Sequence, residues 1–260
     1  MLSEATKMAA GPGIGRARRL RGGYRLVSVR PPAVPVERRE GLLPPLIRAS
    51  TAAFGANTAA VWHERLADSW FDRVDRLLLV LDRDEEVVGW TSYRKLRLAG
   101  ARALYMDTTG IVPEHQRHGL IPAIQSRVVL RALLARPLRP LHVVYRTRNP
   151  VVWRGLRRRL GEENVAPPLR GEVQSWAPGL AAALRGLLAE PGELELETLV
   201  VRGAYADRGG AVYGEAEAPR SGDSETDAYF EERLGPDDAL LVIARTTLMG
   251  MLRPRRRAPR

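Results

Sequence analysis

Residues 108–124, TTGIVPEHQRHGLIPAI, give the clearest structural signal in the sequence. Its β-branched start indicates the end of a strand, the polar segment containing Gly119 indicates a turn, and the apolar residues from Leu120 onward indicate a helix. The first N–H groups of a helix lack backbone acceptors and attract anions. We therefore predict a strand-turn-helix junction that can hold a phosphate group.

Hydrophobic periodicity on either side of this junction predicts further strands and helices. Upstream, it predicts a strand at 24–31, two helices within 40–73 and three strands at about 76–82, 86–97 and 102–112. Downstream, it predicts a strand at 141–149, a helix opened by Pro150, a helix at 177–189 and strands within 193–205 and 238–248. The acidic segment 213–232 reads as a surface loop with one short helix.

Composition excludes several classes of site. The chain has 260 residues, no cysteine and four histidines, which rules out disulfides and a cysteine nucleophile and argues against a dedicated zinc site. We therefore predict no metal. The N-terminal residues do not follow the order of a secretory signal, and the chain contains no apolar run of about 18 residues. We expect a cytoplasmic protein that does not enter a membrane.

The formal net charge of +11 is concentrated at the two ends of the chain. Residues 1–23 hold five basic residues and one acid, and residues 253–260 hold five basic residues, so the ends carry +4 and +5 and leave +2 for residues 24–252. We predict two disordered basic tails around a single domain at 24–252. Because that domain is nearly neutral, we do not expect it to bind nucleic acid.

Residues 102–161 resemble the GNAT acetyltransferase superfamily. That family places a Gln/Arg-x-x-Gly-x-Gly/Ala turn between a long central strand and a helix, matched here by Gln116, Gly119 and Ile121. The resemblance implies a mixed α/β fold with a largely antiparallel central sheet flanked by helices, and acetyl-CoA as co-substrate. It implies that the coenzyme is bound by Ile111, Val112, Gln116, Arg117, His118, Gly119, Leu120, Ile121 and Asn149. The backbone N–H groups of residues 117–121 would hold the pyrophosphate, and those near Ile111 and Val112 the thioester or the pantetheine arm.

The sequence departs from the family pattern at two places. Ile121 stands where the motif has a small residue, and Pro122 removes one N–H group from the first turn of the helix. On the helix after Asn149, Leu156 and Arg157 stand where many members have a tyrosine that protonates the leaving thiolate. The usual general acid is therefore missing or comes from elsewhere.

Catalytic candidates lie on the strand before the turn. Tyr105, Asp107 and Thr109 alternate onto one face of it, and Asp107 is the only carboxylate among them. We predict Asp107 as general base, with Tyr105 beside it, and expect partial burial to raise the pKa of Asp107. The alternative is that Asp107 caps the turn through the backbone of Thr108 or Thr109.

The predicted function is acyl transfer. The chain would move an acetyl or short acyl group from acetyl-CoA to a primary amine of a small molecule or peptide. The alternative is a GNAT-like protein that binds acyl-CoA or nucleic acid without turnover. The sequence leaves a homodimer open.

Overall fold

The computed structural model describes residues 14–15, 17–188, 192–206 and 219–252. These residues form two compact units. The first unit comprises residues 14–94 and 106–126, and the second comprises residues 95–105, 127–206 and 219–252, apart from the gaps just given. Each unit is described by itself, and the single domain at 24–252 stays a prediction.

The strands and helices from the first strand to the helix after the predicted turn follow largely the predicted order. The strands are β1 (Arg18–Arg19), β2 (Arg25–Val29), β3 (Arg76–Leu81), β4 (Val87–Leu98) and β5 (Ala101–Ile111). The helices are α1 (Val36–Arg39), α2 (Leu43–Phe54), α3 (Ala59–Ala67), α4 (Trp70–Arg73) and α5 (Leu120–Leu134). The chain passes from one unit to the other inside β4, β5 and α5.

The remaining elements belong to the second unit. Its further strands are β6 (Leu141–Thr147), β7 (Val165–Ala166), β8 (Glu193–Leu194), β9 (Val200–Arg202) and β10 (Ala239–Thr246). Its helices are α6 (Pro150–Leu160), α7 (Ala177–Leu187), α8 (Ser224–Arg233) and α9 (Leu248–Leu252).

The strands follow the order β1-β2-β3-β4-β5-β6-β10-β9-β8, with β7 paired to β10. Antiparallel pairing joins β2 to β3 and β3 to β4 in the first unit, and β10 to β6, β7 and β9 in the second. The predicted mixed α/β fold with a largely antiparallel sheet is therefore confirmed.

The core of the first unit lies between its strands and helices α2 to α4. Leu46 of α2 and Trp62 of α3 pack in one cluster with Leu77 and Leu79 of β3. Five of the six residues of β3 are buried, as expected for an uninterrupted apolar run. The predicted second helix ends early, because Ser69 adopts a left-handed φ of 55° and separates α3 from α4.

The core of the second unit lies between α7 and strand β10. Ala181 and Leu184 of α7 pack in one cluster with Leu241 and Ile243 of β10. The predicted strand at 193–205 is split into β8 and β9 by a turn at residues 196–198. Burial of α7 against this sheet explains why its apolar positions repeat at helical spacing.

Part of the predicted N-terminal tail is ordered, so that prediction is wrong for these residues. Arg18 and Arg19 pair with β2, and Ile14 forms a bridge to Val29. Ile14 also packs against the core of the first unit, which gives this polar segment an apolar anchor. Residues 1–13 and the predicted tail at 253–260 lie outside the described residues.

Candidate functional site

The predicted strand-turn-helix junction is present in the first unit. Strand β5 ends at Ile111, a short 3₁₀ turn spans Pro113–His115, and helix α5 begins at Leu120. Between them the backbone is left-handed twice, with φ of 63° at Arg117 and 66° at Gly119. Residues 117–119 are exposed, so the turn can be reached from solvent.

The N–H groups of this turn form the candidate anion site. The Ala123 N–H already donates to Gly119 O at 3.1 Å, and Pro122 has no N–H. Residues 117–121 therefore carry the N–H groups that the turn can offer to a ligand. A turn with left-handed residues makes a concave row of N–H groups, and the dipole of α5 adds partial positive charge there. The first turn of α5 contains no acidic residue that would compete with an anion.

Side chains of the turn are engaged mainly with the protein itself. The Gln116 Nε2 donates to Ile111 O at 3.2 Å, and His118 Nδ1 lies 3.2 Å from His115 O. The Tyr24 hydroxyl lies 3.0 Å from His115 Nδ1, and the rings of both histidines pack against the Tyr24 ring. These contacts stabilise the conformation of the turn. They leave the backbone N–H groups as the groups that could bind an anion.

One N–H group that the resemblance assigns to the coenzyme has a partner within the sheet. The Val112 N–H donates to Val88 O at 2.9 Å, so the sheet already uses the group that the resemblance assigns to the thioester or pantetheine. Ile111 ends β5, and its carbonyl accepts the Gln116 side chain. The N–H groups of residues 117–121 are open to a ligand, whereas the Val112 N–H is engaged in the sheet.

Asp107 lies in the first unit, in contact with side chains that the sequence did not predict as its partners. Its side chain is 4% exposed, and its Oδ2 lies 2.6 Å from Arg94 Nη2. Its Oδ1 accepts a hydrogen bond from Trp70 Nε1 at 3.1 Å and lies 3.8 Å from Arg65 Nη2. One buried carboxylate therefore faces two guanidinium groups, from α3 and from β4.

Arg65 is itself held between aromatic rings. Its guanidinium carbon lies 4.9 Å from the centre of the Trp62 ring and 5.1 Å from that of Trp70. Such cation-π contacts stabilise a guanidinium group that has little water around it. The arrangement makes Arg65, Asp107 and Trp70 one polar cluster inside an aromatic core.

The expected rise in the pKa of Asp107 is wrong. Burial by itself would raise that pKa, but the charges of Arg65 and Arg94 and the hydrogen bond from Trp70 outweigh burial and hold the pKa below its ordinary value. A carboxylate whose protonated form is so disfavoured is a weak proton acceptor near neutrality. The turn-capping alternative does not describe these contacts either, since the carboxylate points at side chains of other elements.

Further polar side chains of β5 pair with their neighbours in the first unit. Thr109 Oγ1 lies 2.7 Å from Thr91 Oγ1, and Gln125 Nε2 of α5 donates to Thr109 at 3.4 Å. Thr108 Oγ1 accepts from Trp90 Nε1 at 3.2 Å. These bonds tie the end of β5 to β4 and to the helix that follows the turn.

Tyr105 and Asn149 belong to the second unit. Tyr105 is 1% exposed within the core cluster there, and it lines a pocket under helix α7. The Asn149 Oδ1 accepts from the Val151 N–H at 2.9 Å, which makes this residue the N-cap of α6. The resemblance assigns Asn149 to the coenzyme, and the cap uses its side-chain oxygen.

Helix α6, where the resemblance leads one to expect a tyrosine, has a tyrosine of α8 packed against it. The Tyr229 ring of α8 lies 4.6 Å from that of Trp153 of α6, centre to centre. Burial raises the pKa of Tyr229, so its hydroxyl stays protonated over the neutral range. No local signal in the sequence indicates this contact, because Tyr229 lies in a segment that reads mainly as a loop.

Among the described residues, no group of histidine and acidic side chains could hold a metal ion. In the same part of the chain, no helix combines the length and the apolarity needed to cross a membrane.

No protein-family model matches the chain, and no curated protein does. Part of the chain is similar to solved acetyltransferase structures. The GNAT family N-acetyltransferase YhbS from Escherichia coli, in complex with CoA, is 14% identical with a TM-score of 0.29, over 52% of this chain and 61% of that one. A GCN5-related N-acetyltransferase from Kribbella flavida is 18% identical with a TM-score of 0.35, over 53% of this chain and 34% of that one.

An aminoglycoside acetyltransferase from an uncultured soil metagenomic sample is 17% identical with a TM-score of 0.32, over 44% of this chain and 73% of that one. Identities and TM-scores this low do not establish the chemistry of this chain, which depends on its own residues.

Proposed function

We propose that the chain binds acetyl-CoA through its pyrophosphate and transfers the acyl group to a primary amine of a small molecule or peptide. The observation that carries the proposal is the exposed turn at residues 117–119, which has two left-handed residues and leads into the first N–H groups of helix α5. A helix N-terminus approached through such a turn suits a phosphate group. Gln116, Arg117 and His118 lie along the same backbone, and the Arg117 guanidinium adds positive charge there.

Within this proposal, Asp107 positions other groups and does not abstract the proton. Its two arginine partners lower its pKa, and little of its side chain reaches solvent. We assign it to holding Arg65 and Arg94 in place. The amine would then lose its proton to another group, and Tyr105, fully buried, is also a poor candidate for direct proton transfer.

Transfer is tested by incubating the pure protein with acetyl-CoA and a panel of primary amines while the free CoA thiol is measured. We expect thiol release with at least one amine, above the rate without an acceptor. Release that is independent of the amine would indicate hydrolysis and would contradict N-acyl transfer.

A second candidate is an acyl-CoA-binding protein without turnover. Two observations favour it: Leu156 and Arg157 replace the family tyrosine on α6, and the pKa of Asp107 is lowered. In that case calorimetry would detect binding of CoA while no amine in the panel releases the thiol.

Replacing Gly119 with valine should weaken CoA binding by about tenfold. Gly119 has a φ of 66°, and a side chain in this left-handed region costs about 1–2 kcal/mol. No atom lies within 4 Å of the position that a Cβ would take there, so the cost falls on the backbone shape of the turn and not on packing. Calorimetric titration with CoA measures the change.

The matched control is Gly100→Val in the turn between β4 and β5. Gly100 also has a left-handed φ, of 81°, and an equally open Cβ position. This variant should lose similar stability but keep its affinity for CoA. If the Gly119→Val variant and the parent bound CoA with equal affinity, the pyrophosphate would not bind at this turn.

A further inference from the structure

Four strand ends meet at one end of the second unit. Strands β4, β5, β6 and β10 are neighbours in that order, and a turn at residues 99–100 joins β4 to β5. At the start of β6, His142 Nδ1 lies 3.4 Å from Arg102 O at the start of β5. Leu141 of β6 pairs with Thr246 at the end of β10. The sheet therefore brings together three segments of the chain: 97–102, 134–141 and 245–252.

This end of the unit carries arginines without acidic partners. The stretches of sequence that form it contain no Asp or Glu: residues 95–105, 127–161 and 239–252. Arg97, Arg136 and Arg139 are exposed, and no described acidic side chain forms an ion pair with any of them. Their guanidinium groups are therefore accessible to an anionic partner.

Arg102 fixes the segment that follows helix α5. Its guanidinium donates to the backbone oxygens of Ala132 and Arg136, and the Arg139 N–H donates to Arg136 O at 3.2 Å. Burial lowers the pKa of Arg102, and the charges of Arg136, Arg97 and Arg139 lower it further. All three of these neighbouring charges are positive. The segment after α5 is thus hydrogen-bonded in place within a positive electrostatic field.

Large apolar side chains are exposed beside these arginines. Four of them are more than half exposed: Leu134 58%, Leu138 97%, Met249 71% and Leu252 61%. Leu138 and Met249 each lie three residues from the paired Leu141 and Thr246. Single exposed apolar side chains are common on proteins, but a group of them beside unpaired cations indicates a binding surface. A partner that covers these side chains would remove their hydrocarbon surface from water.

Cations next to exposed apolar side chains match the surface of a phospholipid membrane. Guanidinium groups bind lipid phosphates, and leucine and methionine side chains enter the layer beneath the headgroups. A nucleic acid would match the arginines, but its phosphate backbone offers no hydrocarbon layer to the leucines. We propose that a surface of the second unit, the basic end, docks on membranes that contain anionic phospholipid; it comprises Arg97, Arg136, Arg139, Leu134, Leu138 and Met249. Such docking needs no helix that crosses the membrane.

The first test is flotation of the full chain with lipid vesicles. One set consists of phosphatidylcholine, and the other contains about one-third phosphatidylserine, which gives it a negative surface potential. We expect at least tenfold stronger binding to the anionic vesicles, and weaker binding as the salt concentration rises. Equal binding to both sets, or no binding to the anionic set, would overturn the proposal. The proposal is independent of acyl transfer, which this experiment does not measure.

The second test removes two charges from the basic end. Each arginine near an anionic surface contributes about fivefold to binding, so Arg136→Gln combined with Arg139→Gln should weaken vesicle binding by about 25-fold. Arg185→Gln combined with Arg233→Gln is the matched control, because both arginines are exposed and lie near the start of β10, at the opposite end. Residues 253–260, with five more arginines, are kept in every variant. Equal losses in the two double variants would show a general charge effect and would contradict the assignment.

The third test separates a lipid surface from a nucleic acid. Leu138→Ser should weaken binding to anionic vesicles by about tenfold, because a leucine side chain no longer leaves water, and its exposure of 97% leaves the melting temperature unchanged. Leu187→Ser, at the exposed end of α7, is the control and should bind vesicles like the parent. If a short single-stranded RNA bound at least as tightly as the vesicles, and Leu138→Ser changed neither affinity, the basic end would bind nucleic acid and the lipid proposal would be wrong.

Discussion

Replacing Asp107 with asparagine is expected to lower the free energy of unfolding by about 3–5 kcal/mol, the usual effect of removing one partner of a buried ion pair. The change leaves Arg65 and Arg94 without the carboxylate that lies between them, and both guanidinium side chains are largely buried. Urea denaturation at pH 7 measures the loss. A carboxylate acting only as general base would leave stability nearly unchanged and reduce thiol release instead.

The exposed pair of Arg48 and Glu86 supplies the control for this prediction. Both side chains are more than half exposed, and the N–O distance is 3.3 Å. Glu86→Gln should therefore change the free energy of unfolding by less than about 1 kcal/mol. A loss as large as that of Asp107→Asn would show that the assay does not separate buried from exposed charges.

The effect of Asp107→Asn should also depend on pH. The pKa of Asp107 is lower in the folded chain than its unfolded value of about 3.9, so its contribution is complete above that value and is lost as the pH falls through the folded-state pKa. The gap in stability between parent and variant should thus be largest near neutrality and shrink in acid. A gap that widens in acid would mean that the folded-state pKa is raised.

Replacing Gly110 with alanine is expected to lower the free energy of unfolding by about 3 kcal/mol, at the upper end of the usual cost of overpacking. A Cβ at Gly110 would lie 2.2 Å from Cη2 of Trp90 and 2.7 Å from two other atoms of that ring. Trp90 is fully buried and packs edge-on against Trp62 and Phe54. The ring therefore has little room to move away, and thermal or urea denaturation will measure the strain.

Gly155→Ala is the control for the Gly110 variant. Gly155 lies inside helix α6, and no atom is within 4 Å of its Cβ position. Alanine should stabilise the helix there by about 0.5–1 kcal/mol. If Gly110→Ala were as stable as the parent, the Trp90 ring would not pack as closely against Gly110 of β5 as described here.

The order of elements around the turn at residues 117–121 could be predicted from the sequence because its signals are local. The apolar run of β3, the Pro150 that opens α6 and the Gly119 before α5 each act within a few residues. The N-terminal strand β1 was missed, since its two arginines carry no strand signal and it forms only by pairing with β2.

Helix α8 was predictable only in part, because one of its signals is local and another is not. The acidic segment around it indicates a loop, although one short helix is expected there. In the structure, Asp223 caps the helix by accepting from the Thr226 N–H at 2.9 Å, and Tyr229 and Phe230 pack against Trp153. The cap is a local signal, but the aromatic contact joins residues about 76 positions apart and has no trace in local periodicity.

The position of Asp107 on a strand that precedes the turn at residues 117–121 could be predicted from the sequence alone, because strand and turn follow from neighbouring residues. The pKa of that carboxylate, in contrast, follows from contacts between elements that are distant in the sequence. Its partner Trp70 lies 37 residues away along the chain, and Arg65 and Arg94 come from two other elements. A pKa depends on burial and on charges within a few ångströms, and those distances exist only after α3, β4 and β5 have packed together.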